Sequence, residues 1–125
     1  MASQRSLTPQ KTPPVPSPPG SRKLKRDGRV VVPPATLLLP TGTVWLSPMT
    51  ALAIGRRADC DIVLDDPLVS RLHAFIVAGI DRVELEDVPS RNGTYLNGER
   101  LTGTEVLRSG DRIVIGTTEI SVFSE

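Results

Sequence analysis

Beyond Ala35 the chain is cut into short apolar and β-branched runs by turn residues at about every six to ten positions, a cadence that leaves no room for helices. The runs fall at 36–39, 43–46, 51–54, 61–64, 73–77, 82–86, 94–96, 105–107, 112–115 and 119–123, with a shorter one at 99–101. No window of about a dozen residues shows the 3.6-residue apolar period with caps that a helix needs. In Arg82-Val83-Glu84-Leu85-Glu86 the alternation is strict, so Val83 and Leu85 are expected to face a core and the charges to face water. Ile120-Ser121-Val122 reads the same way. Asn97-Gly98 between two such runs predicts a type I′ hairpin, whose central residues both take positive φ. Ser109-Gly110-Asp111 marks a second turn. Many short strands and no helix predict an all-β fold, an antiparallel sandwich of up to eleven strands. The absence of an internal repeat argues against a propeller.

The first 29 residues do not share this pattern. They hold seven bases (Arg5, Lys11, Arg22, Lys23, Lys25, Arg26, Arg29) against one acid, Asp27, a net of +6; the other 96 residues hold eight bases and thirteen acids, a net of −5. The +1 of the whole chain is a cancellation. Six of the twelve prolines, at positions 9, 13, 14, 16, 18 and 19, also fall in this stretch, which has two leucines, one valine and no aromatic residue. So little apolar surface does not offset the entropy of ordering a backbone. Residues 1–29 are therefore expected to form a disordered, basic, proline-rich arm, and residues 30–125 a single domain entered through Val30 to Pro34. Cys60 is the only cysteine, which excludes an intrachain disulfide and a cysteine-cluster metal site. No apolar run approaches the roughly 18 residues of a membrane span, and positions 1–20 lack the apolar stretch of a secretory signal. A cytoplasmic protein is expected.

In a sandwich the strands are scaffold and chemistry gathers in loops at one end. Three loops here carry polar residues that strand packing does not require: Gly55-Arg56-Arg57, residues 65–71 running into His73, and Pro89-Ser90-Arg91-Asn92-Gly93-Thr94. They hold Arg56, Arg57, Arg71 and Arg91, four of the eight bases in an acidic domain that contains no lysine. Clustered arginine in such a setting points to a small anion, because the planar guanidinium grips phosphate oxygens in pairs. The competing reading is that these arginines are neutralised by Asp59, Asp61, Asp65 and Asp66.

Taken in order, Ile54-Gly55-Arg56, Ser70-Arg71-Leu72-His73 and Ser90-Arg91-Asn92-Gly93-Thr94-Tyr95-Leu96-Asn97-Gly98, followed by Gly110-Asp111-Arg112-Ile113, resemble the signature of the forkhead-associated domain. The resemblance covers roughly residues 35–125 and implies an eleven-stranded sandwich that binds phosphothreonine peptides. It implies that Arg56 contacts the phosphorylated residue, that Ser70 holds phosphate oxygens through its hydroxyl and amide, and that Arg71 and Arg91 add phosphate contacts. Asn92 would hydrogen-bond the peptide backbone. Gly55, His73, Gly93 and Thr94 would support the loops, the glycines by permitting backbone angles that a β-carbon resists. The 66–69 loop, with Pro67, Leu68 and Val69, would read the residue three places after the phosphothreonine.

Other chemistries fit less well. A triad of Ser70, His73 and an aspartate would place Ser and His three apart on one loop, so no enzyme is expected. One His, one Cys and scattered acids lack ligand spacing, so no metal is expected. No P-loop or dinucleotide fingerprint calls for a cofactor. Trp45, Tyr95, Phe75 and Phe123 are too few and dispersed to stack nucleic-acid bases and are expected in core or edge packing, with Cys60 as a small core residue. The arm offers Thr8-Pro9, Thr12-Pro13 and Ser17-Pro18 to a kinase, so phosphorylated Thr8 or Thr12 becomes a candidate internal partner. The alternative function is a phosphate-independent scaffold whose arm, with Arg22, Lys23, Lys25 and Arg26, contacts nucleic acid or anionic surfaces.

Overall fold

A computed structural model describes residues 28–124. Residues 1–27, and with them the sites at Thr8, Thr12 and Ser17, lie outside the described residues. Eleven strands follow one another with no helix among the described residues: β1 (Ala35–Leu39), β2 (Gly42–Leu46), β3 (Thr50–Gly55), β4 (Ile62–Val63), β5 (Ala74–Ala78), β6 (Val83–Asp87), β7 (Thr94–Leu96), β8 (Glu99–Arg100), β9 (Thr104–Val106), β10 (Arg112–Ile115) and β11 (Thr118–Ser124). Each coincides with an expected run to within about two residues.

The strands form two sheets, one of six strands in the order β2-β1-β11-β10-β7-β8 and one of five in the order β4-β3-β5-β6-β9. The period-2 pattern decides which side chains meet between them. Val83 and Leu85 of β6, Leu37 of β1, Ile54 of β3, Ile76 of β5, Ile113 and Ile115 of β10 and Ile120 and Val122 of β11 are all fully buried. Glu84 and Glu86 lie on the opposite face of β6. Asn97 and Gly98 take φ of 51° and 88° between β7 and β8, the positive angles that the dipeptide predicts. Asn97 is tied down further, since its Nδ2 donates to Asp111 Oδ1 (2.9 Å) and its Oδ1 accepts from Arg112 N (3.0 Å).

One pairing departs from the antiparallel expectation. β3 and β4 run parallel, Ile54 opposite Ile62 and Gly55 opposite Val63. The intervening loop doubles back far enough for Asp61 Oδ2 to accept from Ala53 N (2.8 Å), and a pairing of two residues needs no long crossover. The four aromatics, expected in core or edge packing, all fall outside the core: Phe75 and Tyr95 are half-buried, and Trp45 and Phe123 are exposed on the outer face of the six-stranded sheet.

The topology sorts the loops by pole. The ends of β3 and β6, the starts of β5 and β7, and the β10–β11 hairpin all fall at one end of the sandwich. The chain enters at the other end. Gly28 O accepts from Arg108 Nη1 (3.1 Å), Arg29 O from Ser109 N (2.7 Å), and Val31 N donates to Leu107 O (2.9 Å).

Candidate functional site

At the loop pole the backbone itself assembles the site. Past the end of β3, Arg56 N donates to Ser70 O (3.0 Å) and Arg57 N to Arg71 O (3.2 Å), so the two polar loops lie side by side as a short extension of the sheet. Gly55 makes that approach feasible. A β-carbon there would run into the Arg71 carbonyl oxygen and sit 3.0 Å from Cys60 Sγ. The reason for glycine at 55 is therefore close packing; Gly55 has no positive φ, whereas Gly93 does, at 86°. A β-carbon at Gly93 would also lie 2.7 Å from Arg100 Nε.

The four loop arginines divide into one that is neutralised and three that are not. Arg57 pairs with Asp59 (Nε to Oδ1, 2.8 Å), a hydrogen-bonded contact that raises the Arg57 pKa and lowers that of Asp59. Arg56, Arg71 and Arg91 carry no ion pair among the described residues. Of the aspartates that competed for them, Asp61 bonds the Ala53 amide and Asp66 the Leu68 amide and Thr117, and exposed Asp65 forms no ion pair with them. Arg56 is also aimed. Its Nε donates to Val69 O (2.9 Å), which fixes the guanidinium plane and leaves both terminal nitrogens for a ligand.

His73, fully buried, joins the loops from beneath. Its Nδ1 accepts from Ser70 N (3.0 Å), so in the neutral ring the proton sits on Nε2, which donates to Gly93 O (2.9 Å). This arrangement corrects one expectation about Ser70. Its amide is already given to His73, so what Ser70 presents to a ligand is the hydroxyl, whose oxygen accepts from Arg91 N (3.1 Å) while its proton is free to turn outward. It also argues against a nucleophile–base pair, because His73 bonds the Ser70 amide and not its hydroxyl. Asn92 is exposed and its Nδ2 donates to Leu68 O (2.9 Å), spanning two loops and leaving Oδ1 as an acceptor. The structure thus brings Arg56, Ser70, Arg71, Arg91 and Asn92 to one pole, over a base of Gly55, His73, Gly93 and Thr94.

Two carboxylates beneath the loops take roles that the sequence reading did not assign. Asp87, at the end of β6, accepts from the Ser90 and Thr94 hydroxyls at its Oδ1 (2.7 Å each) and from Ser90 N at its Oδ2 (3.4 Å). Ser90 Oγ in turn accepts from Gly93 N (3.1 Å). Asp66 accepts from Leu68 N (2.9 Å) and from both the amide and hydroxyl of Thr117 (2.8 Å each), binding the 65–69 loop to the β10–β11 hairpin. Those bonds, the Leu68 amide first, hold the Asp66 carboxyl below its ordinary pKa. The only sequence signal for Asp87 is the pair of hydroxyls three and seven positions later.

Residues 52–116 match the family described as FHA domain. The chain belongs to the FHA domain family. It is 45% identical over 75 residues to an oxoglutarate dehydrogenase inhibitor of Corynebacterium jeikeium, an alignment covering 60% of this chain and 51% of that protein. The chain thus spans about half the length of that curated relative. Among solved structures, Mycobacterium tuberculosis EmbR in complex with a low-affinity phosphopeptide superposes with a TM-score of 0.67 and 30% identity, over 84% of this chain and 28% of that one. The N-terminal FHA domain of Saccharomyces cerevisiae Rad53p in complex with a phosphothreonine peptide gives a TM-score of 0.64 and 25% identity, over 73% and 93%. The fold is therefore common to this chain and to proteins solved with phosphopeptides bound. No helix among the described residues is long and apolar enough to cross a membrane, and no group of three or more His, Cys, Asp or Glu among them is placed to hold a metal ion.

Proposed function

We propose that this FHA domain is a phosphothreonine-peptide binding module that makes protein–protein contacts depend on Ser/Thr kinase activity. The observation that carries the reading is the state of Arg56, which is oriented by Val69 O and carries no ion pair among the described residues. A cation held in place and left without a counter-ion is organised for an anion that arrives from outside. In the bound state the Arg56 terminal nitrogens and the Ser70 hydroxyl hold the phosphate. Arg71 and Arg91 surround it, and Asn92 exchanges its bond to Leu68 O for the peptide backbone. The module is a binder and not an enzyme, and it works in the cytoplasm.

Three or four charge-assisted hydrogen bonds, at about 1.5–3 kcal/mol each, are offset in large part by the cost of association, so a good peptide binds at about micromolar Kd. The arm supplies an internal competitor. Fifteen residues separate Thr12 from Gly28 in the sequence, up to about 50 Å of extended chain, against a β11 strand of about 24 Å from pole to pole. Phosphorylated Thr8 or Thr12 therefore reaches the loops. The test of the reading is a phosphothreonine peptide library screened against the wild-type chain and Arg56→Ala. Enrichment by the wild type alone supports it, and identical enrichment by both removes Arg56 from the site.

A further inference from the structure

Away from the loops, the outer face of the six-stranded sheet carries three large apolar side chains that the fold leaves uncovered: Leu38 at 49% exposure, Trp45 at 57% and Phe123 at 42%. Their positions are in register. Trp45 and Phe123 stand opposite Thr36 from either side, on β2 and β11, and Leu38 lies two residues along β1 on the same face, between Thr43 and Ser121. The result is two aromatic ridges about 10 Å apart, two strand spacings, with a half-buried threonine as the floor between them. The neighbouring side chains Thr43 and Ser121 are uncharged, and Arg112, opposite Ser121 on β10, is paired with Glu119 (3.6 Å).

We propose that this groove is covered by the proline-rich segment of the same chain, residues 12–19, which lies outside the described residues. The chain enters the fold beside it: Arg29 O accepts from Ser109 N, and Ser109 Oγ accepts from Ser124 N, the residue after Phe123. Eight residues separate Pro19 from Gly28, enough for about 26 Å of tether across a patch about 10 Å wide. Pro13-Pro14-Val15-Pro16-Ser17-Pro18-Pro19 has the stiff, low-entropy backbone and flat rings that aromatic grooves accept, at about 3.1 Å per residue. An uncharged groove suits this stretch better than the basic run Arg22, Lys23, Lys25 and Arg26.

Area argues against a second copy of the chain as occupant. The three side chains leave on the order of 300 Å² exposed per chain, about half of what even a small specific interface buries when two such patches meet. A tethered segment needs less area because it gives up no independent translation.

Trp45 is the only tryptophan, so its fluorescence reports on the groove alone. The experiment compares the full chain with one in which Pro13, Pro14, Pro16, Pro18 and Pro19 are replaced by Gly and Ser, at several protein concentrations. Proline docking predicts that the replacement raises acrylamide quenching of Trp45 about twofold and shifts its emission to longer wavelength, independent of concentration. Equal quenching in the two proteins overturns the proposal. Protection that disappears on dilution of the wild type also overturns it and assigns the groove to a second copy.

Discussion

Replacing His73 by alanine tests the idea that one buried ring holds the binding loops together. The ring is fully buried and has both nitrogens bonded, Nδ1 to Ser70 N and Nε2 to Gly93 O. The substitution leaves a buried amide and a buried carbonyl without partners, at about 1–3 kcal/mol each, and opens a cavity besides. A loss of about 3–5 kcal/mol is expected, a large share of what a domain of this size has to spare. Urea unfolding followed by Trp45 fluorescence, with wild type and variant compared at matched m-values, reads the loss directly. Binding measured at a temperature where both proteins are folded should fall at least about tenfold, because Ser70 and Gly93 are no longer held at a common distance. A stability loss under about 1 kcal/mol, or unchanged affinity, would refute the role assigned to the ring.

Arg56→Ala and Ser70→Ala each remove one loop hydrogen bond outside the core, so phosphopeptide affinity should fall about tenfold or more for each while the melting temperature moves little; calorimetry and thermal unfolding check the two together. Asp87→Ala strips partners from the Ser90 and Thr94 hydroxyls and should cost about 2–4 kcal/mol in urea unfolding, with weaker binding through a loosened 89–94 loop. The Asp66 carboxyl is held below its ordinary value of 3.8, so its stabilising effect is complete above that pH and is lost as pH falls through the lower folded value; Asp66→Asn should flatten the acid limb of the stability curve. An unchanged acid limb in that variant would remove Asp66 as the bridge between its loop and the β10–β11 hairpin.

The strands were legible because their signal is local. Val83 and Leu85 alternate with charged neighbours, and Asn97-Gly98 is nearly sufficient by itself to specify its hairpin. What stayed hidden depends on residues far apart in the chain. Asp66 bonds Thr117 across 51 positions, and the Ser70 amide is committed to a histidine whose other nitrogen reaches the 89–94 loop. The close packing that requires glycine at 55 comes from Arg71, and nothing between the two positions announces it. The side taken by the exposed aromatics stayed open for a related reason: Trp45 and Phe123 follow the period of β2 and β11, and only the sheet order shows that this period points them away from the core. The arginines were recognisable as a cluster, but their competition with the aspartates was decided by hydrogen bonds that composition does not contain. Asp61 and Asp66 are taken by backbone amides, and Asp59 by Arg57.

The central claim is that the loop pole recognises phosphate, and one titration addresses it. A peptide selected by the domain is synthesised with threonine and with phosphothreonine, and both are titrated into the full chain by calorimetry at pH above the second phosphate pKa of about 6. The account predicts micromolar binding of the phosphorylated peptide and a loss of at least about a hundredfold without the phosphate. Equal affinities would contradict it and leave the domain a phosphate-independent scaffold.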